Sequence, residues 1–429
     1  MTERKSPTFG LYNRMSTYSR HTRRPARGGR SSSHSRGYSG RGRSFGHAPR
    51  RSQGGNRGAH RGQHIDASRF VHKGVEVGET KPFTPKHSFS DFAIDEALKK
   101  NISKKGYATP TPIQDTSIPH TLEGKDVVGI ANTGTGKTGA FLIPLVHKIL
   151  KDRKERVLIM VPTRELALQI EEEFWGFADS LRIGAVSCVG GANINRQIAT
   201  LRRDPHMVIG TPGRLKDLIE RRVLNLSKFR TVVLDEADRM LDMGFINDMK
   251  HILAHMPKER HTLFFSATLS RDIEVLIKDF LIDPVHISVK TGDTPSGVDQ
   301  DIVRVTSGKT KVDVLHELLI QPEFKKVLVF GRTKHGVEKL SKALVERGFK
   351  AESIHGNKNQ NRRERALALF KGNHVQVLVA TDVAARGIDI DDISHVINFD
   401  IPTTYDDYVH RIGRTGRAGK RGKALTFIE

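Results

Sequence analysis

The sequence predicts an α/β fold: two tandem doubly wound parallel-sheet domains, preceded by a disordered Arg/Gly/Ser-rich tail. Three observations lead there. From about Phe89, short β-branched runs alternate with longer stretches of helical period. That pattern breaks in a polar stretch containing Gly and Pro, "KTGDTPSGVDQ" at 290–300, and then restarts. The first 65 residues differ in composition, with fourteen arginines and one lysine against one acid, Glu3, a net +14 of the chain's +23. At 429 residues the chain is too long for one ordinary core.

Taken in order, the tail comes first, with stretches such as "RPARGGRSSSHSRGYSGRGRSFG". It holds too few apolar residues to offset the entropy of ordering it. Its arginines suit phosphates, and Tyr18, Tyr38 and Phe45 can stack on bases. Sequence-tolerant RNA binding is therefore favoured over a merely solubilising tail. The Gly density and the missing helical apolar spacing argue against a transit peptide. The boundaries are a basic tail at 1–70, a linker at 71–86, a first domain at 87–289, a linker at 290–300 and a second domain at 301–429.

A net charge of +23 calls for a polyanion, with nucleic acid ahead of an anionic membrane surface. The single cysteine, Cys188, excludes an internal disulfide and a cysteine-based zinc site, and suits a reducing, cytoplasmic setting. The longest apolar runs, "VLIMV" and "FLIPLV", fall far short of the ~20 residues of a membrane helix. No secretory hydrophobic core follows the N-terminus.

The strands of the first domain read as "VVGIA", "RVLIMVP", "AVSCVGG", "HMVIGTPG", "TVVLDEAD" and "TLFFSAT". Those of the second read as "KVLVFGRT", "ESIHG", "VQVLVATD", "HVINFD" and "KALTFI". Nearly every polar cluster follows an apolar run. In such sheets ligands bind beyond the carboxyl ends of the strands.

"GIANTGTGKTGAF" is strand, Gly-rich loop and helix start. It matches the phosphate loop G-x-x-x-x-G-K-S/T except that Ala131 takes the first position. Gly134 and Gly136 let backbone amides turn toward phosphate oxygens at the positive end of a helix. Lys137 would reach the β and γ phosphates, and Thr138 would offer its hydroxyl to Mg²⁺. A second "GKT", Gly308-Lys309-Thr310, lacks the first glycine, which would fall at Val303, and reads as a loop before a helix. The run "TVVL" ends in Asp235, Glu236 and Asp238. A phosphate loop needs such a carboxylate for Mg²⁺, which suits Asp235, acting through water. Glu236 can orient and deprotonate the attacking water. Two carboxylates at a strand end can also be a helix cap and first-turn charge. The phosphate loop upstream weighs against that alternative.

The ordered set of motifs resembles the DEAD-box family of ATP-dependent RNA helicases over almost the whole chain after the tail. "DEAD" stands at 235–238, "ANTGTGKT" accounts for Ala131, and "GYATPTPIQ" at 106–114 is similar to the family's Q motif within 87–115, with Phe89 seventeen residues before Gly106. "PTRELA" (162–167), "GG" (190–191), "TPGR" (211–214) and "SAT" (266–268) follow. The second half supplies "VFGRTKHG" (329–336), Gln360 and Arg363 in the Q-x-x-R pattern, "ATDVAARGIDI" (380–390) and "HRIGRTGR" (410–417). The variants look most like bacterial members.

The resemblance implies two RecA-like domains and a role for each motif. Gln114 would bond the adenine edge and Phe89 would stack on the ring. Ala131, Asn132, Thr133, Gly134, Thr135, Gly136, Lys137 and Thr138 would wrap the phosphates, and Asp389 would contact the ribose. Lys137, Thr138, Asp235 and Glu236 would act with Arg414 and Arg417 as arginine fingers. Asp238, Ser266, Thr268 and His410 would couple ATP to RNA. Pro162, Thr163, Arg164, Gly190, Gly191, Thr211, Gly213 and Arg214 would line the RNA groove, joined by Arg332, Thr381 and Asp382. Small residues and arginines suit phosphates rather than base edges, so sequence specificity should be low.

The implied function is ATP hydrolysis on single-stranded RNA, with ATP and Mg²⁺ as cofactors and local unwinding or remodelling of RNA duplexes and ribonucleoproteins, ribosomal or degradative assemblies among them. The rivals are an ATP-gated RNA clamp and a related DNA helicase. A catalytically dead binder is disfavoured, since Lys137, Asp235, Glu236, Arg414 and Arg417 are all present. The chain stops at "GKALTFIE", where family members continue for one or two more helices, so the second domain is either minimal or truncated.

Overall fold

The computed structural model describes residues 66–72, 83–132, 134–289, 297–385, 390, 392–416 and 421–428. Residues 1–65, to which most of the tail reading applies, lie outside them. In the first domain the order is α1 Glu96–Lys104, α2 Pro112–Leu122, β1 Val127–Ile130, α3 Lys137–Lys151, β2 Val157–Met160, α4 Arg164–Phe177, β3 Ala185–Cys188, α5 Ile194–Leu201, β4 Met207–Gly210, α6 Pro212–Glu220, β5 Thr231–Leu234, α7 Ala237–Asp242, α8 Ile246–Ala254, β6 His261–Ser266, α9 Arg271–Phe280 and β7 Val285–Ser288. The second continues with β8 Val298–Arg304, α10 Lys311–Leu319, β9 Val327–Phe330, α11 Lys334–Glu346, β10 Ala351–Ile354, α12 Gln360–Lys371, β11 Val377–Ala380, α13 Asp382–Ala385, β12 His395–Asn398, α14 Tyr405–Ile412 and β13 Gly422–Ile428.

The strands form two sheets, ordered β3-β4-β2-β5-β6-β1-β7 and β10-β11-β9-β12-β13-β8. Their ladders are parallel throughout the described residues. The central strands are unbroken apolar runs because helices cover both faces. Val127, Ile159 and Val233 enter one core layer, while Val128, Leu158 and Val232 enter the other, the period-two alternation of a strand. Leu328 and Leu378 divide from Val329 and Val379 in the same way in the second sheet. Each such fully buried side chain contributes roughly 1.5–3 kcal/mol.

Two boundaries differ from the sequence reading. The second sheet begins at Val298, inside the stretch expected to be linker, and β8 pairs with β13 over seven residues. Its sequence, "VDQDIVR", hides an edge strand: Val298 and Gln300 are buried and Asp299 is exposed. At the end of the expected tail, Ala67–Phe70 form a 3₁₀ turn capped by Asp66, whose Oδ1 accepts from Ser68 N–H at 2.9 Å. Phe70 is 1% exposed. The second "GKT" is a loop before a helix, as expected: α10 starts at Lys311, and Thr310 and Asp313 form its capping box.

Candidate functional site

Sheet order sorts the motifs. The loops after β1, β5 and β6, which are adjacent strands, carry Lys137, Asp235–Asp238 and Ser266–Thr268. The loops after β2, β4 and β3 carry Thr163, Thr211 and Gly190-Gly191. All open on the carboxyl edge, so the motifs expected to take nucleotide gather on one half of that edge and those expected to line nucleic acid on the other, the nucleotide half and the nucleic-acid half for short.

In the nucleotide half, Gly134 and Gly136 have φ of 80° and 90°, which a side chain would strain. Gly136 has a second reason to be glycine: a Cβ there would lie 2.7 Å from Gln114 Nε2. Gln114 is buried in α2. Its Oε1 accepts from Thr111 N–H at 3.0 Å, and its Nε2 donates to the Gly136 carbonyl at 3.0 Å. The expected adenine-edge amide thus braces the phosphate loop. Phe89 is buried and packs edge-on to Phe92 and Tyr107. Asp115 anchors this region by accepting from the Lys86 and His87 amides at 2.9 and 3.0 Å. Lys137 Nζ donates to the Ala131 carbonyl at 3.0 Å, and Thr135 Oγ1 donates to the Asn132 carbonyl at 2.8 Å. Thr138 is half-buried at the start of α3.

Asp235, Glu236 and Asp238 are each buried. Burial pushes the Asp235 carboxyl up to about 6; Lys137 opposes the shift and Glu236 adds to it. Glu236 sits at φ +51°, a left-handed conformation uncommon for a side-chain-bearing residue. Asp238 Oδ2 accepts from Ala267 N–H at 3.1 Å, Thr268 N–H at 3.0 Å and the Thr268 hydroxyl at 3.1 Å. Ala131 N–H in turn donates to the Ser266 carbonyl at 3.0 Å, and Ser266 Oγ donates to the Thr268 carbonyl at 2.8 Å. The phosphate loop, the carboxylate loop and the end of β6 therefore form one hydrogen-bonded unit.

In the nucleic-acid half, Arg164 rests on the glycine pair. A Cβ on Gly191 would lie 2.2 Å from Arg164 Nη1, and one on Gly190 would lie 3.2 Å from Nη2. Burial and the nearby Arg363 guanidinium lower the Arg164 pKa. Arg214 Nη1 donates to Gln197 Oε1 at 2.7 Å, and Gly213 is exposed. Thr163 is buried and caps α4 with its hydroxyl, Pro162 beside it is buried, and Thr211 caps α6 without a side-chain bond.

The second domain contributes from the carboxyl ends of β9 and β11 and from α14. Arg332 is exposed, with its amide on Asp400 Oδ2 at 2.8 Å. Thr381 is buried. Asp382, expected in the groove, receives Arg411 in a two-pronged pair at 2.5 and 2.8 Å. Arg411 also donates to Asn398 and to the Asp400 carbonyl, and lies 5.0 Å from the Phe330 ring centroid. Arg414 is 4% exposed, with Nε donating to the His410 carbonyl at 3.3 Å. His410 and Arg414 share a small cleft with Arg239 of α7. Thr133, Asp389 and Arg417 lie outside the described residues.

Sequence reasoning assigned no role to Arg411, Arg239 or the pair that joins the two domains. Arg363 Nη2 lies 2.7 Å from Glu165 Oε1, and Arg164 Nη1 is 3.5 Å from Gln360 Oε1. Gln360 and Arg363 are three apart on α12 and so share a face, which was the available signal.

Comparison with known proteins decides the family. The DEAD/DEAH box helicase model matches residues 111–276, and the helicase conserved C-terminal domain matches 310–419. The chain is 48% identical over 343 residues to the ATP-dependent RNA helicase CshA of Listeria monocytogenes, covering 80% of this chain and 66% of that protein. It is 47% identical to the DEAD-box ATP-dependent RNA helicase CshA of Bacillus subtilis, covering 80% and 69%. The chain belongs to the DEAD-box family of ATP-dependent RNA helicases. It spans about two thirds of the length of these relatives.

Solved DEAD-box structures share its fold. Mss116p bound to single-stranded RNA and AMP-PNP matches with a TM-score of 0.73 at 30% identity, over 80% of this chain and 75% of that one. Saccharomyces cerevisiae Dbp5 bound to RNA and ADP BeF3 matches with a TM-score of 0.72 at 29% identity, over 80% and 89%. Both sheets are thus RecA-like DEAD-box domains. No helix among the described residues is long and apolar enough to cross a membrane.

Proposed function

We propose that this chain hydrolyses ATP when it binds single-stranded RNA, and that closure of its two domains locally separates short RNA duplexes. The observation that carries the reading is the bonding of Asp238 to Ala267 and Thr268. It ties the loop holding the catalytic carboxylates to the Ser266–Thr268 segment at the end of β6. A change at the phosphates therefore has a direct mechanical route into the segment expected to couple ATP to RNA.

The roles follow from position and chemistry. Gly134, Gly136 and the start of α3 cradle phosphates, and Lys137 would exchange the Ala131 carbonyl for a phosphate oxygen. Glu236 acts as base toward the attacking water. Arg414 stabilises charge on the γ phosphate, with Arg417 beside it in the motif; such fingers are worth ~10³–10⁵ in rate. Phe89 and Gln114 read adenine, Gln114 turning one of its two backbone bonds over to the base. Asp389 takes the ribose. A buried carboxylate raised to about 6 gains by meeting a cation, so Asp235 fits Mg²⁺ held through water, with Thr138 as its partner. The ion would neutralise phosphate charge. Pro162, Thr163, Arg164, Gly190, Gly191, Thr211, Gly213, Arg214, Arg332 and Thr381 line the RNA path; Asp382 shapes it by holding Arg411. A cytoplasmic setting and ribonucleoprotein targets, ribosomal or degradative, fit the basic tail and the bacterial relatives.

The test is steady-state ATP hydrolysis with and without single-stranded RNA, beside Glu236→Gln. RNA stimulation abolished by the substitution supports the reading. Equal stimulation by DNA of the same length sinks the RNA assignment. Slow turnover with long RNA residence would replace unwinding by clamping.

A further inference from the structure

We propose that residues 66–72 form a strap in which Phe70 is a positioning residue for the ATPase, seating the helix that presents His410 and Arg414. The inference rests on the ATP-hydrolysis reading above.

The strap precedes the first domain in sequence but packs on the second. His72 pairs antiparallel with Gln300 on β8, an edge strand: His72 N–H donates to the Gln300 carbonyl at 3.0 Å, and Gln300 N–H returns a bond at 2.8 Å. Phe70 enters a small core of its own, made of Val298, Tyr408, Ile412 and Ala424. Its ring lies 4.8 Å from that of Tyr408 at 60°, a tilted aromatic pair. Tyr408 then donates its hydroxyl to Gln300 Oε1 at 3.0 Å, so the residue the strap pairs with by backbone also holds α14 by side chain.

Tyr408 and Ile412 are four apart and form the inner face of α14. His410 and Arg414 each follow one of them by two residues, on the side toward the cleft with Arg239. The turn after α14 rests on the same strand: Gly416, at φ +68°, is so close to Val298 that a Cβ would lie 2.7 Å from Val298 Cγ2. The inner face of α14 thus leans on a cluster to which the strap supplies the large aromatic ring. Without it, a cavity opens beneath the helix that carries the finger, and a small misplacement of a catalytic group is enough to slow chemistry.

A second consequence is topological. Residues 73–82 connect the strap on the second domain to Phe83 and the first. The domains are then joined by the 290–296 linker and again by a docked segment whose far side leads into the basic tail. Covering an exposed edge strand would by itself account for the backbone bridge. It does not account for an aromatic ring 1% exposed against the inner face of α14.

The experiment uses the full chain and compares Phe70→Ala, Phe70→Leu and His72→Pro. Positioning predicts that Phe70→Ala lowers the RNA-stimulated kcat about threefold to tenfold with KM for ATP within twofold, that Phe70→Leu recovers most of it, and that His72→Pro, which removes one bridge donor, shifts kcat in the same direction. Hydrogen exchange should show the His72 and Gln300 amides protected in the parent chain and released in Phe70→Ala. Unchanged kcat in Phe70→Ala, or unprotected amides in the parent, overturns the proposal. Equal losses in the Ala and Leu variants alongside a lowered melting point reduce the strap to a stabilising cover. Should the parent lack RNA-stimulated hydrolysis, the functional reading fails, while the exchange data still decide whether the strap is docked.

Discussion

The two sheets share a layout and differ in charge. In the first, three buried carboxylates gather at one strand end, and Asp235 is held up to about 6 because burial outweighs the help of Lys137. In the second, the buried cation Arg411 is satisfied by Asp382, Asn398 and a carbonyl. One half gathers buried negative charge at a strand end. The other spends an ion pair on its own shape and presents Arg414 toward the cleft. The difference teaches which substitutions should change chemistry and which should change folding.

The largest effect falls on the acidic half. Glu236→Gln keeps shape and removes the proposed base, so kcat should drop by about 10²–10⁴ while ATP and RNA still bind together. Single-turnover hydrolysis and RNA affinity in the presence of ATP check this. If RNA binding collapses along with kcat, Glu236 is structural. Next comes Arg411→Ala on the basic half. Breaking a buried pair typically costs about 3–5 kcal/mol, so the second domain should unfold at lower temperature or denaturant. A kcat loss without a stability loss would instead make Arg411 part of the chemistry.

A pH profile sharpens the contrast. With Asp235 at about 6, kcat/KM for ATP should fall below pH 6, reaching roughly one tenth of its plateau near pH 5. The stability sign is opposite. The folded carboxyl has a pKa above its unfolded value of 3.8, so the folded state holds the extra proton. Stability is therefore fullest below about pH 4 and is lost as pH rises through 6. Asp235→Asn should melt higher at pH 7 and be inactive; a lower melting point would mean that Lys137 already compensates the charge.

The loops after β1 and β5 were legible in sequence because their motifs are contiguous. A phosphate loop between strand and helix, and carboxylates after "TVVL", each need only local spacing. Asp238 was assigned to coupling, and its three bonds to Ala267 and Thr268 give that assignment a geometry. Contacts between distant segments were not legible. Glu165 and Arg363 are far apart in the chain, and β8 was obscured by the alternating polar residues of an edge strand. Phe70, at the border of the basic tail, was given no role from sequence; only the fold brings it to Tyr408.

The smallest expected effect tests the nucleic-acid half. The glycine pair at 190–191 was read as a lining for RNA backbone. The geometry adds that it seats Arg164, whose Nη1 would be 2.2 Å from a Cβ on Gly191, at a residue whose φ is +78°. Gly191→Ala therefore strains the turn by about 1 kcal/mol or more and displaces a guanidinium that also reaches Gln360 across the domains. RNA affinity should weaken a few-fold and the salt dependence of binding should lose about one charge, since one phosphate contact is misplaced. Basal hydrolysis without RNA should stay within about twofold, because the loops after β1, β5 and β6 are untouched. If Gly191→Ala weakens RNA with an unchanged salt slope, the glycines act through backbone approach alone and Arg164 belongs to the domain joint rather than to the groove.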